Sequence, residues 1–547
     1  MLESEDEESL IPSTQTKKDS LWKSRRLARE QHEPVSIRAV VIGLMMSLAF
    51  LLGLLYWLLY VVKRFKLVKL ITYGSFSDIS ASEIISSGLP CDTVSQGYQC
   101  DPTLSHSWGQ YSLFYRVPSD FPLTVPSLCK VTFVQLLSRH GARFPTADKS
   151  AKYNSTISKI KSSATNFTGP YSFLDTYIYD LGAEDLTVLG QQELVNSGVD
   201  FFSRYEELAE IKTPFVRAGD QDRVVESARK WSEGYHKAKV ASGKDSDKDY
   251  PYGILEISEA SDVNNTLHHG LCRKFEQNRT GFAAQMEFGK TFLPGITARL
   301  KSDLKIDNID DLDTLSLMDM CPFTVVAETS FTAAKILQRR NPSSNPVCAL
   351  FNQSEWEAYD YFQTIGKYYG FGPGAPLGPT QGVGYVNELI ARLTTSEVKD
   401  RTSVNHTLDA SSATFPLDRQ IYADFSHDND MTSIFSALGL FEKVPTLNKD
   451  RIMGIEETAG FASSRIVPFG GRILVEKLQC EGTQDEKVRV ILNGRVWPLS
   501  LCDLDDRGMC NLQEFVQSLR FAKSGGRWDE CFDDIASNAS SGTVETA

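Results

Sequence analysis

The sequence predicts an α/β fold preceded by one transmembrane helix, and three observations lead to this prediction. Short apolar runs that suit buried strands each lead into a segment with helical spacing, which is typical of sheets covered by helices. An uncharged stretch, residues 39–62, is long enough to cross a bilayer as a helix. All ten cysteines follow that stretch, which suggests that the folded domain lies in an oxidising compartment.

The uncharged stretch reads AVVIGLMMSLAFLLGLLYWLLYVV and includes Tyr56, Trp57 and Tyr60, residue types that favour a membrane interface. A cleavable signal peptide is the alternative interpretation, but its apolar region is normally shorter and nearer the start of the chain. We therefore expect a disordered cytosolic tail over 1–38, a transmembrane helix over 39–62 and a stalk over 63–90.

The cysteines and glycosylation sequons indicate how the span is oriented. No cysteine pair has the CxxC spacing of a zinc or redox site, so disulfides are the expected state. Seven N-x-S/T sequons follow the span and none precedes it. The protein is therefore predicted to be a single-pass type II membrane glycoprotein with a luminal or extracellular domain, in the vacuole, in the Golgi or at the cell surface. The sequons begin at Asn154, Asn166, Asn264, Asn278, Asn352, Asn405 and Asn538.

The formal net charge of −13 excludes a general nucleic-acid-binding surface, since such surfaces are basic. We therefore expect no nucleic-acid partner. Any anionic ligand must be bound by a local cluster of cations, and the sequence carries no signal for the oligomeric state.

Alternating strand and helix signals occupy the region after the stalk. The apolar run 131–137 suits a strand buried on both faces, and residues 214–216 and 421–425 suit two more strands. Helical spacing follows in 186–208, in 224–231 and in 431–438. Asn493-Gly494 between alternating apolar residues predicts a β-hairpin. The folded domain is expected over 91–533, with a helical insertion, a cap, over roughly 235–385 and a flexible tail over 534–547.

Three polar segments, SRHGARFP, TPFVRAGDQDR and ADFSHDND, each finish a predicted strand. Because ligands of α/β sheets bind beyond the carboxyl ends of the strands, we expect these segments to converge on one site. The candidate site residues are Arg139, His140, Arg143, Arg217, His427 and Asp428.

These residue types suit phosphoryl transfer. Guanidinium groups donate paired hydrogen bonds to phosphate oxygens and keep their charge at any working pH. The same cations lower the pKa of a nearby imidazole, so that His140 stays an unprotonated nucleophile in acid. A bound phosphate raises the pKa of Asp428, which then protonates the leaving alkoxide as a general acid.

With these motifs in view, the sequence resembles the histidine acid phosphatases, and among them the fungal phytases. The resemblance extends from about 90 to 533 and includes CDTVSQGYQCDPTLSHSWGQYSLFY, LGPTQGVGYVNELIARLT and LRFAKSGGRWDECF. It implies His140 as nucleophile, Asp428 as proton donor and a phosphate clamp of Arg139, Arg143, Arg217 and His427. It also implies an acid optimum, no metal and no cofactor.

The resemblance further implies the cysteine pairing, which sequence reasoning alone leaves open among about 945 arrangements. The implied disulfides join Cys91 with Cys100, Cys129 with Cys480, Cys272 with Cys531, Cys321 with Cys348 and Cys502 with Cys510.

Outer substrate contacts are where this chain departs from the family. The resemblance implies that Gln110, Tyr111, Lys149 and Lys367 line the pocket. Pro170, Asp175 and Gly366, however, stand where family members commonly have lysine. Fewer cations weaken the attraction for a polyanion.

The sequence therefore predicts a membrane-anchored acid phosphomonoesterase of phytase type that hydrolyses phytate or a similar small phosphate monoester. The alternatives are a broad-specificity acid phosphatase and an inactive, phosphate-binding membrane glycoprotein. His268 and His269 lack the HExxH or HxH spacing of metal ligands, so they are expected to be solvated.

Overall fold

The computed structural model describes residues 93–99, 101–244, 248–327, 345–500 and 502–532. The predicted cytosolic tail, membrane span, stalk and C-terminal tail lie outside these ranges. Within them, no helix has the length and hydropathy needed to cross a membrane.

One mixed sheet organises the described part of the chain. Its strands are β1 Cys129–Arg139, β2 Phe215–Gly219, β3 Ile254–Ile257, β4 Ile421–Ser426, β5 Arg472–Cys480, β6 Glu486–Leu492, β7 Arg495–Val496 and β8 Cys510–Asn511. They lie in the order β3-β2-β4-β1-β5-β6-β7, with β8 paired to β6. The first four strands of this order are parallel to one another, whereas β5 pairs antiparallel with β1 and β6, and β7 and β8 pair antiparallel with β6.

Helices cover the sheet and fill the middle of the chain. The longer ones are α1 Ala147–Ser163, α2 Val188–Arg204, α3 Asp222–Ala241, α4 Thr280–Gly289, α5 Leu293–Leu304, α6 Asp311–Ala327, α7 Gln353–Gly370, α8 Val383–Thr394, α9 Asp428–Ala437 and α10 Leu512–Ser518. Single α-helical turns occur at Pro102–Ser105, Glu206–Ala209, Arg273–Glu276, Gly378–Gln381, His406–Asp409, Ser463–Ile466 and Arg520–Lys523. Short 3-10 helices occur at Gly109–Tyr111, Gly169–Asp175, Cys348–Leu350 and Trp528–Cys531.

Strand β1 is buried on both faces, as its continuous apolar run predicts. Val134 and Leu136 belong to a core cluster beneath α2 and α3, whereas Phe133 and Leu137 belong to the core on the other face. Because side chains alternate along a strand, this division places helices on both faces of the sheet. The predicted α/β fold is therefore confirmed.

The predicted hairpin is also confirmed. Strands β6 and β7 pair antiparallel, and Asn493 and Gly494 between them have φ values of 47° and 80°. Two consecutive positive φ angles are what a two-residue type I′ turn requires, and Asn-Gly adopts them at low cost.

The helical insertion needs one correction. Residues 254–257, which fall inside the predicted range of roughly 235–385, form β3 and pair with β2 in the main sheet. Helices do dominate from 273 onward, and α5, α6 and α7 bury side chains in a separate cluster that includes Leu300, Phe323 and Trp356. That this helical region acts as a cap stays a prediction.

Four of the five implied disulfides are present. They join Cys129 to Cys480, Cys272 to Cys531, Cys321 to Cys348 and Cys502 to Cys510. The fifth, Cys91 with Cys100, lies outside the described residues. The disulfide between Cys129 and Cys480 joins the first residue of β1 to the last residue of β5, its antiparallel neighbour.

Candidate active site

The site lies where the central parallel strands end. Arg139, the last residue of β1, is paired in register with Ser426, the last residue of β4. The next residues, His140 and His427, therefore leave the sheet side by side, and the backbone N–H of His140 donates to the Ser426 carbonyl at 3.1 Å. This edge is the position at which the sequence places the ligand.

A backbone carbonyl fixes the tautomer of His140. Its Nδ1 lies 2.9 Å from the carbonyl oxygen of Gly141, and a carbonyl only accepts, so Nδ1 carries the hydrogen. Nε2 is then the nitrogen with the lone pair. Burial, followed by the positive charges of Arg139 and Arg143, holds the pKa of His140 well below its ordinary value. The ring is therefore neutral, as a nucleophile must be.

Two arginines flank this imidazole. Arg139 is fully buried and donates from Nη1 to the carbonyl oxygens of Gln110 and Val467. Arg143 donates from Nη1 to the Phe144 carbonyl at 2.8 Å. Among the described residues, no hydrogen-bond partner meets Nε and Nη2 of Arg139 or Nε of Arg143, although these atoms are buried. A buried donor without an acceptor costs free energy, so these arginine N–H groups are suited to bind an oxyanion.

Asp428 begins helix α9 directly after His427, and two cations face its carboxylate. Lys367 Nζ lies 2.5 Å from Asp428 Oδ2, and Arg139 Nη2 lies 3.5 Å from the same oxygen. Burial alone would raise the pKa of Asp428, but Arg139 and Lys367 hold it well below its ordinary value. The carboxyl group is therefore ionised before a ligand arrives.

His427 is oriented by a carboxylate that the sequence prediction did not include. Its Nε2 lies 2.9 Å and 3.0 Å from the two carboxylate oxygens of Glu259, which follows β3. The His427 ring stands edge-on to the His140 ring with 5.5 Å between centroids. No local motif marks Glu259, because its role arises from the packing of β3 beside β2.

The structure does not bring Arg217 into this group, which corrects the predicted clamp. Arg217 donates from Nε and Nη2 to Asp424 at 3.0 Å and 2.9 Å, and from Nη2 to Glu388 at 2.6 Å. In the sheet it is level with Asp424 and hence with Leu137, two residues before the end of β1. At about 3.3 Å per residue, its backbone is about 7 Å short of the edge.

Arg223 is the third arginine at the site, and sequence reasoning missed it. It lies in the first turn of helix α3 and is close enough to lower the pKa of His140. Its Nη1 donates to Glu184 at 2.9 Å, whereas its buried Nε has no hydrogen-bond partner among the described residues. The sequence signal that could have identified Arg223 is its position at the start of the helix that follows β2. The N-termini of such helices lie at the same edge of the sheet as the carboxyl ends of the strands.

The predicted outer residues differ in what they contact. Lys149 donates to the Tyr111 hydroxyl at 2.8 Å and to Asp319 at 2.6 Å. Gln110 contributes its carbonyl to Arg139 and its side-chain amide to Gln363 at 2.9 Å. Lys367 contacts the proton donor candidate itself. Gln110 and Lys367 therefore contact the candidate site directly, whereas Lys149 contacts Tyr111 and Asp319. That these four residues contact substrate stays a prediction.

Comparison with known proteins finds similarity over most of the chain. The Histidine phosphatase superfamily (branch 2) matches residues 130–493. Phytase A of Aspergillus oryzae is 48% identical over 446 residues, which are 81% of this chain and 94% of that protein. Phytase A of Aspergillus fumigatus is 46% identical over 456 residues, 83% of this chain and 96% of that protein.

Two solved structures share the fold. The crystal structure of the phytase from D. castellii has a TM-score of 0.61 and 21% identity, and the match covers 81% of this chain and 92% of that one. A multiple inositol polyphosphate phosphatase of Bifidobacterium longum, solved in complex with inositol hexasulfate, has a TM-score of 0.52 and 12% identity, over 76% of this chain and 97% of that one.

Proposed function

The chain belongs to branch 2 of the histidine phosphatase superfamily, and from this premise we propose that it is a histidine acid phosphatase of phytase type. It is a phosphoric monoester hydrolase. The observation that carries the proposal is a neutral, buried His140 whose Nε2 is free beside unsatisfied arginine donors and the carboxylate of Asp428.

In the first step, Nε2 of His140 attacks phosphorus as the bond to the ester oxygen breaks. The buried donors of Arg139, Arg143 and Arg223 stabilise the charge on the phosphoryl oxygens. Asp428 donates a proton to the departing alkoxide, so the first product leaves as an alcohol. In the second step Asp428 accepts a proton from water, the oxygen attacks the phosphohistidine, and inorganic phosphate is released with His140 restored.

The ionised state of Asp428 in the ligand-free protein fits this sequence of steps. A substrate phosphate brings negative charge to the arginines and to Lys367, which weakens their stabilisation of the carboxylate. The pKa of Asp428 then rises and the group takes up the proton that it later donates. This requirement favours turnover in acid.

Phytate is the proposed substrate, because phytases of about 46–48% identity span most of this chain. Lys149 and Lys367 are cations suited to further phosphate groups of such a polyanion. A broad-specificity acid phosphatase is the second candidate, and Gly366 favours it: a Cβ there would lie 2.4 Å from the amide nitrogen of Gln285, so Gln285 occupies the space that a longer side chain would need.

The test is an assay of the purified full-length chain between pH 3 and pH 7, with phytate and p-nitrophenyl phosphate as substrates. His140→Ala should lose activity toward both by roughly a thousandfold or more, the scale expected for removal of a nucleophile. The matched control is His406→Ala, which changes an exposed histidine. Equal turnover by His140→Ala would eliminate the proposal, and similar kcat/KM for both substrates would select the broad-specificity enzyme.

We further propose that residues 39–62 anchor the enzyme as a type II membrane protein, with its catalytic domain in the lumen of the secretory pathway or outside the cell. The uncharged span and the downstream sequons support this proposal. So do the four disulfides, which belong to an oxidising compartment. Activity should pellet with membranes after alkaline carbonate washing, and deletion of residues 1–69 should release it. Activity in the washed supernatant would contradict the anchor.

A further inference from the structure

His268 is more enclosed than the sequence predicts. Its side chain is 22% exposed, and its Nδ1 atom is buried. Within the described ranges this nitrogen has no hydrogen-bond partner: Asp430 Oδ1 lies 3.6 Å away and Glu259 Oε2 lies 3.8 Å away. This buried imidazole nitrogen lies at ion-pair distance from two carboxylates, and both contacts are longer than a normal hydrogen bond.

The group around this nitrogen includes His427 and Glu259. His427 Nε2 lies 2.9 Å from Glu259 Oε1, and the His268 and His427 rings are edge-on with 5.9 Å between centroids. One ligand atom from each of Glu259, His268 and His427 lies within 4.8 Å of the others. Three donors that converge in this way, two imidazoles and a carboxylate, form a set that Zn²⁺ prefers.

The backbone holds these donors in place. The Ser426 hydroxyl donates to the Leu267 carbonyl at 2.5 Å, which ties the residue before His268 to the residue before His427. On the other side, the backbone N–H of His269 donates to Asp430 at 2.7 Å. The two imidazoles are therefore fixed by the same strand end, which is the preorganisation that a metal site needs.

We propose that Glu259, His268 and His427 bind a divalent transition-metal ion, with Zn²⁺ as the model ligand, beside the phosphate pocket. With bonds of about 2.1 Å, tetrahedral ligands are about 3.4 Å apart. The three ligand atoms lie within 4.8 Å of one another, so modest side-chain adjustments bring them to this spacing. The nearby carboxylate of Asp430 adds negative charge that favours a cation. The fourth position is left to water or to a phosphate oxygen.

The ion would act as an inhibitor. This consequence, unlike the binding itself, rests on the proposed function, in which His140 and Asp428 carry the chemistry. His427 lies beside both groups: it directly precedes Asp428 in the chain, and its ring centroid is 5.5 Å from that of His140. An ion on His427 Nε2, in place of the hydrogen that this nitrogen donates to Glu259, therefore adds positive charge beside both groups and offers its fourth position to a phosphate oxygen. We therefore expect Zn²⁺ to lower turnover as it fills the site, with activity restored by a chelator.

The test measures Zn²⁺ binding to the full-length protein by titration calorimetry near pH 7, because protons compete with the metal for imidazole nitrogen at lower pH. We expect one site per chain whose affinity falls at least tenfold in His268→Gln and in Glu259→Gln. His406→Gln is the matched control, since His406 is exposed on a separate helical turn, and it should bind like the wild type.

Hydrolysis of p-nitrophenyl phosphate gives the second readout and avoids precipitation of phytate by the metal. Without Zn²⁺, His268→Gln should keep the wild-type rate within about twofold, which also shows that it folds. With Zn²⁺, it should need at least ten times more metal for half-inhibition. Equal affinity of wild type and His268→Gln overturns the metal site. A protein that binds Zn²⁺ as expected but hydrolyses no ester overturns the proposed function and leaves the site standing.

Discussion

The ammonium group of Lys367 lies 2.5 Å from the carboxylate of Asp428, so the candidate proton donor is paired with a cation in the ligand-free protein. Both side chains are largely buried, which strengthens their attraction. In the proposed mechanism, Asp428 is ionised while it is paired with Lys367 alone, and it becomes a proton donor only when a substrate phosphate also interacts with Lys367. This pairing therefore makes Lys367 a determinant of the pH profile.

Replacing Lys367 should move that profile. Lys367 lowers the pKa of Asp428, and catalysis needs the protonated carboxyl, so Lys367→Met should let the carboxyl keep its proton to higher pH. We expect the alkaline limb of kcat to shift upward by about one pH unit. The measurement is kcat against pH with p-nitrophenyl phosphate, with exposed Lys152→Met as the control. A downward shift would contradict the role given to Asp428.

Arg223 should matter for catalysis. The buried Nε of Arg223 has no hydrogen-bond partner among the described residues, and its charge acts on His140. Arg223→Gln should therefore lower kcat/KM by about 10²-fold, the scale for loss of one charge-stabilising donor. The thermal unfolding midpoint should change little by comparison. Arg229→Gln, an exposed change on the same helix, serves as the control. Wild-type kinetics in Arg223→Gln would exclude it from the phosphate site.

Arg217 should matter for stability instead. Its partners Asp424 and Glu388 are buried, so Arg217→Met removes the cation that faces Glu388 and leaves Asp424 with Arg392 alone. The free energy of unfolding should fall by about 3–5 kcal/mol, the cost of breaking a buried ion pair. Denaturant unfolding of Arg217→Met beside exposed Arg419→Met measures it. Unchanged stability with lost phosphate affinity would restore Arg217 to the clamp.

Lys149 should distinguish substrates. It lies beyond the catalytic group, bonded to Tyr111 and Asp319, where a second phosphate of a polyphosphorylated ester can reach it. Lys149→Met should raise KM for phytate several-fold, since one rim ion pair contributes about 1 kcal/mol. KM for p-nitrophenyl phosphate should stay constant. Lys152→Met on the same helix is the control, and parallel changes for both substrates would argue against an outer phosphate contact.

Glu193 should make stability depend on pH. It accepts the backbone N–H groups of Ala142 and Phe114, and burial raises its pKa from 4.5 to about 7. The folded state therefore holds a proton that the unfolded chain releases above pH 4.5, so the stabilisation is complete below pH 4.5 and is lost as pH rises through 7. This loss should be about 3 kcal/mol at most.

Glu193→Gln keeps the shape of the side chain and removes the titration. Only the wild type loses the contribution of the Glu193 proton as pH rises. Its advantage in unfolding free energy over the variant at pH 4.5 should therefore shrink or reverse by pH 7. Exposed Glu206→Gln controls for the loss of one carboxylate. A difference that is constant over this range would show that Glu193 keeps an ordinary pKa.

The amino-acid sequence by itself determined the α/β class, the strands that end at the candidate site and most of the candidate residues that follow those strands. Apolar periodicity fixes which runs are buried, and Arg139, His140 and Arg143 lie so close in the chain that the end of β1 brings them to one edge. His427 and Asp428 follow β4 in the same way, and β4 is the parallel neighbour of β1. The order of residues along the chain was enough to predict this convergence, because the carboxyl ends of adjacent parallel strands lie at the same edge of the sheet.

Only the tertiary structure decided which arginine lies at the candidate site, Arg217 within β2 or Arg223 after it, and which carboxylate contacts His427. Arg217 is in register with Asp424 and binds it inside the sheet, whereas Arg223 reaches the edge from the next helix. Glu259 arrives from β3, and His268 from the loop beyond it. Register and the packing of distant segments set these contacts, and neither is encoded in the local spacing of residues.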